Sequence, residues 1–551
     1  MVTIIEDRVA YLEKKHPILS IKLKSCLPLQ QVTPGTLVLE TVEPNTLFFL
    51  YRMASLASLK ELHKFLDISD VHLVILEHQI EEMAFFMSQE DMEPLLKHPN
   101  CEWYLLEDLC EEVFLKWAWQ SVFFKYTFLT LFEDPSFLFF KEHMTSVIER
   151  VFLIASEYRD YGKRVFKNFY ENLSLIEESK RACSVKFPKI PAVICGGGPS
   201  LEGQKSLLKQ LEHRALLFVG GSTISAFSKW EITPQVIAIV DPEFPYERAH
   251  DYQFYETPCV YQLRASAESL RLIHGEKLVS AGSGEFPFES YYFKMSKVES
   301  GWNVANFMAT LAAEMGCDPI ILVGVDMMYQ ENQEYAEGVG ALEKDQYKHK
   351  IAMQSAEEVK MFSRKDLLMG KKFFSELPQR YPQSTFFNAT ERGLFIEQMK
   401  HVSLEEISAS LELRYDLQGI VHQQLAELDK ISSQEGSFKQ EIREELSKSF
   451  NHTQQLIQDI LRYLEKLYAQ KVRNRAVQEM EMELLIAEMD LEQECVYLLY
   501  IEPVWQVWKW LLFRHEQHKI HTVEGAIRKI LFFKEVVQTH EQLFHEYVER
   551  T

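Results

Sequence analysis

Apolar positions along this 551-residue chain change their spacing three times, and each change predicts a different kind of structure. Up to about residue 110, short apolar or aromatic runs stand apart from one another: Leu37 to Leu39, Leu47 to Tyr51, Leu73 to Leu76 and Trp103 to Leu106. They predict strands, and Leu56 to Phe65 between them has helical spacing, so residues 1–112 read as a small α/β scaffold domain. Residues 113–190 are helical in pattern and rich in aromatics, and read as a connector that ends in a polar, proline-bearing stretch. Within it, Trp117 to Phe140 is the most apolar stretch of the chain. Lys125, Glu133, Asp134 and Pro135 interrupt it, which predicts a buried aromatic helix pair and no membrane insertion.

From residue 191 the pattern becomes regular. Ala192 to Cys195, Leu216 to Val219, Val236 to Val240, Cys259 to Leu263, Lys277 to Ser280 and Ile320 to Val323 are short, apolar apart from Gln262, Lys277 and Ser280, and separated by helical segments. Strands of that kind belong to a parallel sheet covered on both faces, so residues 191–402 read as a central Rossmann-like domain. Residues 403–551 are almost wholly helical. Phe438, Ile442, Leu446 and Phe450 recur every fourth position, followed by an apolar face from Leu456 to Leu467. The predicted fold class is therefore α/β: a central parallel-sheet domain, a small N-terminal α/β domain and a C-terminal helical bundle.

Candidate chemistry collects at the predicted carboxyl ends of the central strands, where such sheets bind ligands. The first strand runs into Gly196-Gly197-Gly198-Pro199-Ser200, a turn whose glycines let backbone amides approach an anion closely, with Ser200 placed to cap the next helix. It lacks the lysine of a Walker loop, and Leu201 stands where the dinucleotide fingerprint needs its last glycine. The second strand ends in Gly220-Gly221-Ser222-Thr223, the third in Asp241-Pro242-Glu243 and the last in Gly324-Val325-Asp326. Asp241 and Glu243 could hold a divalent metal, bond a ribose or substrate hydroxyl, or simply open a turn before proline. Asn303 can cap a helix or face an anion, and Asn388 begins another short polar turn. Glu77, at the end of an N-terminal strand, stands where ribose-binding carboxylates sit in nucleotide folds, although the turn after Tyr51 contains no glycine.

Charge and cysteine usage narrow the function. With 81 acidic and 59 basic side chains, the formal charge is −22, which disfavours general binding to nucleic acid or anionic lipid. Eight cysteines are scattered without CxxC or Cys/His clusters, which argues against a zinc site or a disulfide framework. A cytoplasmic location fits that usage, and the first residues have no secretory pattern.

GGGPSL at 196–201, the Asp241-Pro242 strand end, SGWNVA at 300–305, GCDPIILVGVD at 316–326 and NATERG at 388–393 resemble, in this order, the motility-associated factor (Maf) flagellin glycosyltransferases. The central domain of that family is related to the MptE-like 6-hydroxymethylpterin diphosphokinases. The resemblance covers about residues 160 to 400. It implies a cytoplasmic enzyme that moves a nonulosonic acid (pseudaminic, legionaminic or sialic-type) from a CMP-activated donor to Ser or Thr of an acceptor protein such as flagellin, with no metal or other cofactor required. It places Gly196, Gly197, Gly198, Ser200, Gly221, Ser222 and Asn303 near the nucleotide, gives Asp241 and Asp326 catalytic roles, and makes Glu243 and Asn388 substrate contacts. His250 and His274 are candidates for the base.

Two departures from the family pattern stand out: the glycine-free turn of the first domain, and Arg392 in place of the first of two paired glycines. Two other readings remain open. One is a diphosphokinase acting on a pterin with ATP and magnesium held by Asp241 and Asp326; the other is a binding or scaffold homologue without chemistry.

Overall fold

The computed structural model describes residues 12–13, 16–24, 26, 42–52, 63–66, 68, 70–89, 92–221, 223–243, 256–282, 286–293, 298–330, 336, 339, 351–353, 361–411, 413–431, 438–471, 478–513 and 522–549. It divides into two compact units, one formed by residues 1–160 and 453–537, the other by residues 161–452 and 538–551.

The first unit is built on four parallel strands: β1 (Thr46–Tyr51), β2 (Val71–Glu77), β3 (Cys101–Leu105) and β4 (Lys125–Thr130), in the order β3-β2-β1-β4. Every residue of β1 is buried because both faces of the sheet are covered. Alternation then sorts the residues by face. Phe48 and Leu50 join Leu73, Ile75, Met83 and Phe86 in one core, whereas Leu47, Phe49 and Tyr51 join Trp117, Phe140 and Met144 in another. The second core is supplied by helices Glu111–Ser121 and Pro135–Ser156, the latter started by Asp134, whose carboxylate accepts the Phe137 amide.

β4 corrects the expected aromatic helix pair. Residues 125–130 form a strand between the two helices, and its pairing with β1 extends the first sheet beyond residue 112 into the segment read as a connector. Leu37 to Leu39 and most of Leu56 to Phe65 lie outside the described residues. In the same unit, helices Gln478–Gln493 and Glu502–Leu512 follow the residues 453–471 that end a long helix, and Trp505 packs against Phe533 with ring centroids 5.4 Å apart. That tryptophan therefore serves the core.

The second unit contains nine parallel strands: β5 (Lys180–Arg181), β6 (Ala192–Cys195), β7 (Leu216–Gly220), β8 (Val236–Ile239), β9 (Cys259–Gln262), β10 (Lys277–Ser280), β11 (Ile320–Val323), β15 (Phe386–Asn388) and β16 (Lys400–His401). Between β11 and β15 lies a small antiparallel sheet of β12 (Tyr329–Gln330), β13 (Ile351–Met353) and β14 (Met361–Ser363). All six predicted central strands are present. The large sheet has the order β16-β15-β11-β6-β7-β8-β9-β10-β5.

That order matters for function. From β6 the chain adds β7 to β10 on one side; after β11 it continues to β15 and β16 on the other. The connections that follow β6 and β11 consequently lead to opposite sides of the sheet, which makes the carboxyl edge at these two strands the topological switch point of an open parallel sheet. Helix Val304–Glu314 covers one face through Phe307, Met308, Leu311 and Ala312, which share a core with Ile194, Phe218, Ala238 and Leu322.

Candidate functional site

Three glycines in two loops let the chains leaving β6 and β11 approach each other. The Gly196 amide donates to the Val323 carbonyl at 2.8 Å, and the Gly198 amide donates to the Gly324 carbonyl at 2.8 Å. A Cβ on Gly196 would lie 2.4 Å from the Gly324 oxygen, and one on Gly324, which has φ +67°, would lie 2.8 Å from the Gly196 oxygen. No other residue fits there. The expectation of a phosphate cradle is thereby corrected: two of its amides are engaged by β11 and its loop, and the Gly197 carbonyl accepts the Ala336 amide at 3.1 Å.

The close passage of the two loops brings Ser200 onto Asp326. The serine Oγ donates to Oδ2 at 3.0 Å, and its backbone amide faces the same oxygen at 3.3 Å. Asp326 is only 4% exposed, and burial pushes its carboxyl up to about 6, against the opposing pull of the Ser200 hydrogen bonds and the Arg392 charge. A cavity of about 370 Å³ opens at this pair. Glu202 and Gly203 line it from the β6 loop, Tyr329 and Met361 from the small antiparallel sheet, and Glu391 with Arg392 from the loop after β15. Arg392 is the single basic residue among the described lining residues.

The β15 loop owes its shape to Asn388. This side chain is buried, its Oδ1 accepts the Thr390 amide at 3.0 Å, and Thr390 Oγ1 in turn accepts the Val325 amide at 3.1 Å. Gly393 then passes so close to Asp326 that a Cβ would meet its Cα at 2.9 Å. Asn388 thus positions the loop that carries Glu391 and Arg392 to the cavity, which replaces its expected role as a substrate contact.

The remaining expected residues fall farther along the same edge. Gly221 has φ +50°, and its Cβ would sit 3.9 Å from the carboxylate of Asp241, so these two are neighbours across β7 and β8. Asp241 is exposed, and its backbone carbonyl accepts the Ser266 amide. Asn303 caps helix Val304–Glu314 by accepting the Asn306 amide at 3.0 Å, and Val304 packs so tightly on Gly220 that a Cβ there would lie 2.5 Å away. Glu243 is ion-paired with Arg164 at the surface. Ser222 and His250 lie outside the described residues.

Two further expectations are corrected by position. His274 sits in the turn entering β10 at the amino edge of the sheet, next to Gly275, and so lies away from the cavity. Asp241 and Asp326 follow β8 and β11, three strand intervals apart. At about 4.8 Å per interval that is roughly 14 Å, too far for one ion to be held by both. Among the described residues, no group of three or more His, Cys, Asp or Glu is arranged to hold a metal. The structure also brings in Glu202, Tyr329, Met361, Glu391 and Arg392, and of these only Arg392 carried a signal in the sequence.

An open parallel sheet, covered on both faces and with a buried acid at its switch-point crevice, defines the class of this protein as doubly wound α/β. Residues 163–332 match the family model described as 6-hydroxymethylpterin diphosphokinase MptE-like. No curated protein matches the sequence. Among solved structures, the chain is similar to a Maf glycosyltransferase from Magnetospirillum magneticum AMB-1, with a TM-score of 0.55 and 13% identity over 99% of this chain and 96% of that one. The shared architecture extends well beyond the MptE-like segment to the flanking regions.

Proposed function

We propose that this protein is a glycosyltransferase that moves a nonulosonic acid from a CMP-activated donor to a Ser or Thr hydroxyl of an acceptor protein. The observation that carries this reading is the Ser200–Asp326 pair at the mouth of the switch-point cavity, within a chain that has the fold of a Maf glycosyltransferase over nearly its whole length.

In the proposed transfer, a bond forms between the acceptor oxygen and the anomeric carbon while the bond from that carbon to the CMP phosphate breaks. CMP leaves with the bonding electrons, and the hydroxyl proton passes to a base. Asp326 is our candidate for that base: it is ionised at neutral pH, raised enough to accept a proton, and held in one orientation by Ser200. Arg392 supplies the positive charge that a phosphate or the sugar carboxylate would meet in a cavity whose other charged lining residues are acids. The nucleoside end of an extended donor would run along the edge toward Gly221 and Asp241. Chemistry of this kind requires no resident metal, because the leaving group is already a phosphate monoester. We place the enzyme in the cytoplasm, in keeping with eight free cysteines; among the described residues, no helix is long and apolar enough to cross a membrane.

The matched MptE-like description supports a second reading, a diphosphokinase using magnesium and ATP. The separation of Asp241 from Asp326 counts against the metal site first expected for it. Thermal unfolding in the presence of CMP, CTP, ATP or GTP, each with and without magnesium, separates the two, since a ligand stabilises the native state according to its affinity. The expected result is a rise in midpoint with CMP that is independent of magnesium and diminished in Arg392→Met. A magnesium-dependent rise with ATP alone would instead establish the kinase reading, and no rise with any nucleotide would leave a scaffold protein.

A further inference from the structure

Helix Gln478–Gln493 has two apolar faces, and among the described residues only one of them is buried. Ala487 and Leu491 are buried. On the opposite side, Met482, Leu485, Ile486 and Met489 are 59%, 51%, 52% and 52% exposed. Their spacing of i, i+3, i+4 and i+7 puts all four on one stripe of a helix with about 3.6 residues per turn. Glu483 and Asp490 border the stripe on one side and Glu492 with Glu488 on the other, by the same spacing; Glu488 is already paired with Lys529 at 3.6 Å, which leaves Glu483, Asp490 and Glu492 to meet a partner. The helix contains six acidic residues and no basic one.

We propose that this stripe is a docking site for a basic amphipathic helix of a partner protein. The apolar face of such a helix would cover the four side chains, two of them methionines that adapt to varied surfaces, while its Lys and Arg residues would meet the carboxylates on both borders. The same charges argue against two other occupants. A second copy of this helix would set carboxylate against carboxylate, and an anionic lipid surface would be repelled. Charge and apolar pattern together select a cationic, helical partner. The site lies outside the switch-point cavity and does not depend on the proposed transfer reaction.

The test uses the full-length protein and a fluorescein-labelled synthetic peptide with Leu at i, i+3, i+4 and i+7 and Lys elsewhere. A peptide of the same composition, with its leucines scattered around the helix, is the control. Fluorescence anisotropy is expected to show the patterned peptide binding at least about tenfold more tightly than the scrambled one. The double variant Leu485→Ser, Ile486→Ser should abolish that preference, and Glu483→Gln with Asp490→Asn should flatten its salt dependence. These positions are more than half exposed or on the polar borders, so unfolding midpoints should stay at the wild-type value and show that the variants fold. Equal binding of both peptides, or a preference that survives the serine variant, would overturn the proposal. So would a concentration-dependent dimer abolished by the serine variant, or binding to phosphatidylserine vesicles that needs the stripe.

Discussion

The two parallel sheets of this protein have the same kind of switch point and fill it differently. In the first unit the crevice lies between β1 and β4, and the chain leaves β1 through Arg52, which takes φ +55° without being a glycine. Its guanidinium donates to Glu82 at 2.9 Å, lies 3.9 Å from the fully buried Glu77 and 4.0 Å from Asp134, and stacks over Phe132 at 4.4 Å. Tyr51 donates to the same Asp134 at 2.8 Å. In the second unit the chain leaves β6 through glycines, and an equally buried acid faces a serine and a cavity. A switch point therefore marks where a ligand can bind. Whether it does depends on the residue that first leaves the strand: a long cation spans the crevice, whereas glycines let the two loops close on each other and leave space above the acid.

Three substitutions put that contrast under strain. Gly198→Ala has the largest expected effect, because the new Cβ would lie 1.9 Å from Asp326 Oδ2 and must displace the carboxylate from Ser200. A misplacement of about 1 Å costs on the order of a hundredfold in rate, so sugar transfer in a discontinuous assay should fall at least that far. Wild-type turnover in this variant would show that the Ser200–Asp326 geometry is not used.

Asp326→Asn separates chemistry from stability. Because the folded carboxyl is raised from an ordinary 3.8 to about 6, the native state prefers it protonated. The wild type therefore bears a penalty of up to about 3 kcal/mol above pH 6, which is relieved as pH falls from about 6 toward 3.8. The amide has no charge to bury. Denaturant titration should find the variant more stable than wild type at pH 8, by an amount that shrinks toward pH 4.5, and inactive throughout. A variant equally destabilised at both pH values would mean that the Ser200 bonds outweigh the cost of burial.

Arg52→Ala is expected to act on stability alone. It leaves Glu77 and Glu82 without the cation they share, a loss of about 2 kcal/mol, below the range for fully buried pairs because Arg52 keeps a quarter of its side chain exposed. Activity per folded molecule should be unchanged. A substantial drop in transfer rate at full folding would make the first crevice part of the working site and erase the distinction between the two sheets.

Much of the framework could be read in the sequence because its signals are local. The six central strands are short, predominantly apolar runs bounded by turns, and burial on both faces leaves no other role for such runs. The repeat of Phe438, Ile442, Leu446 and Phe450 likewise requires a helix with one buried face, and all four are buried. β4 is hard to read in the sequence because Lys125 to Phe128 alternates exposed and half-buried positions, with Leu129 alone buried, and the strand adjoins the aromatic ends of its neighbours, so its period is masked by theirs. The glycine at 198 was identified, but for a different reason. Its need became clear only when Asp326, 128 residues later, was found against it.

The sequence by itself determined the kinds of most elements, β4 excepted, the α/β class and the concentration of small and acidic residues at strand ends, since each of these depends on neighbours a few positions away. Tertiary structure decided which ends meet. Strand order is a property of pairing between distant segments. Only that order put β11 beside β6, joined Ser200 to Asp326, carried Arg392 over them and set Asp241 three strands away.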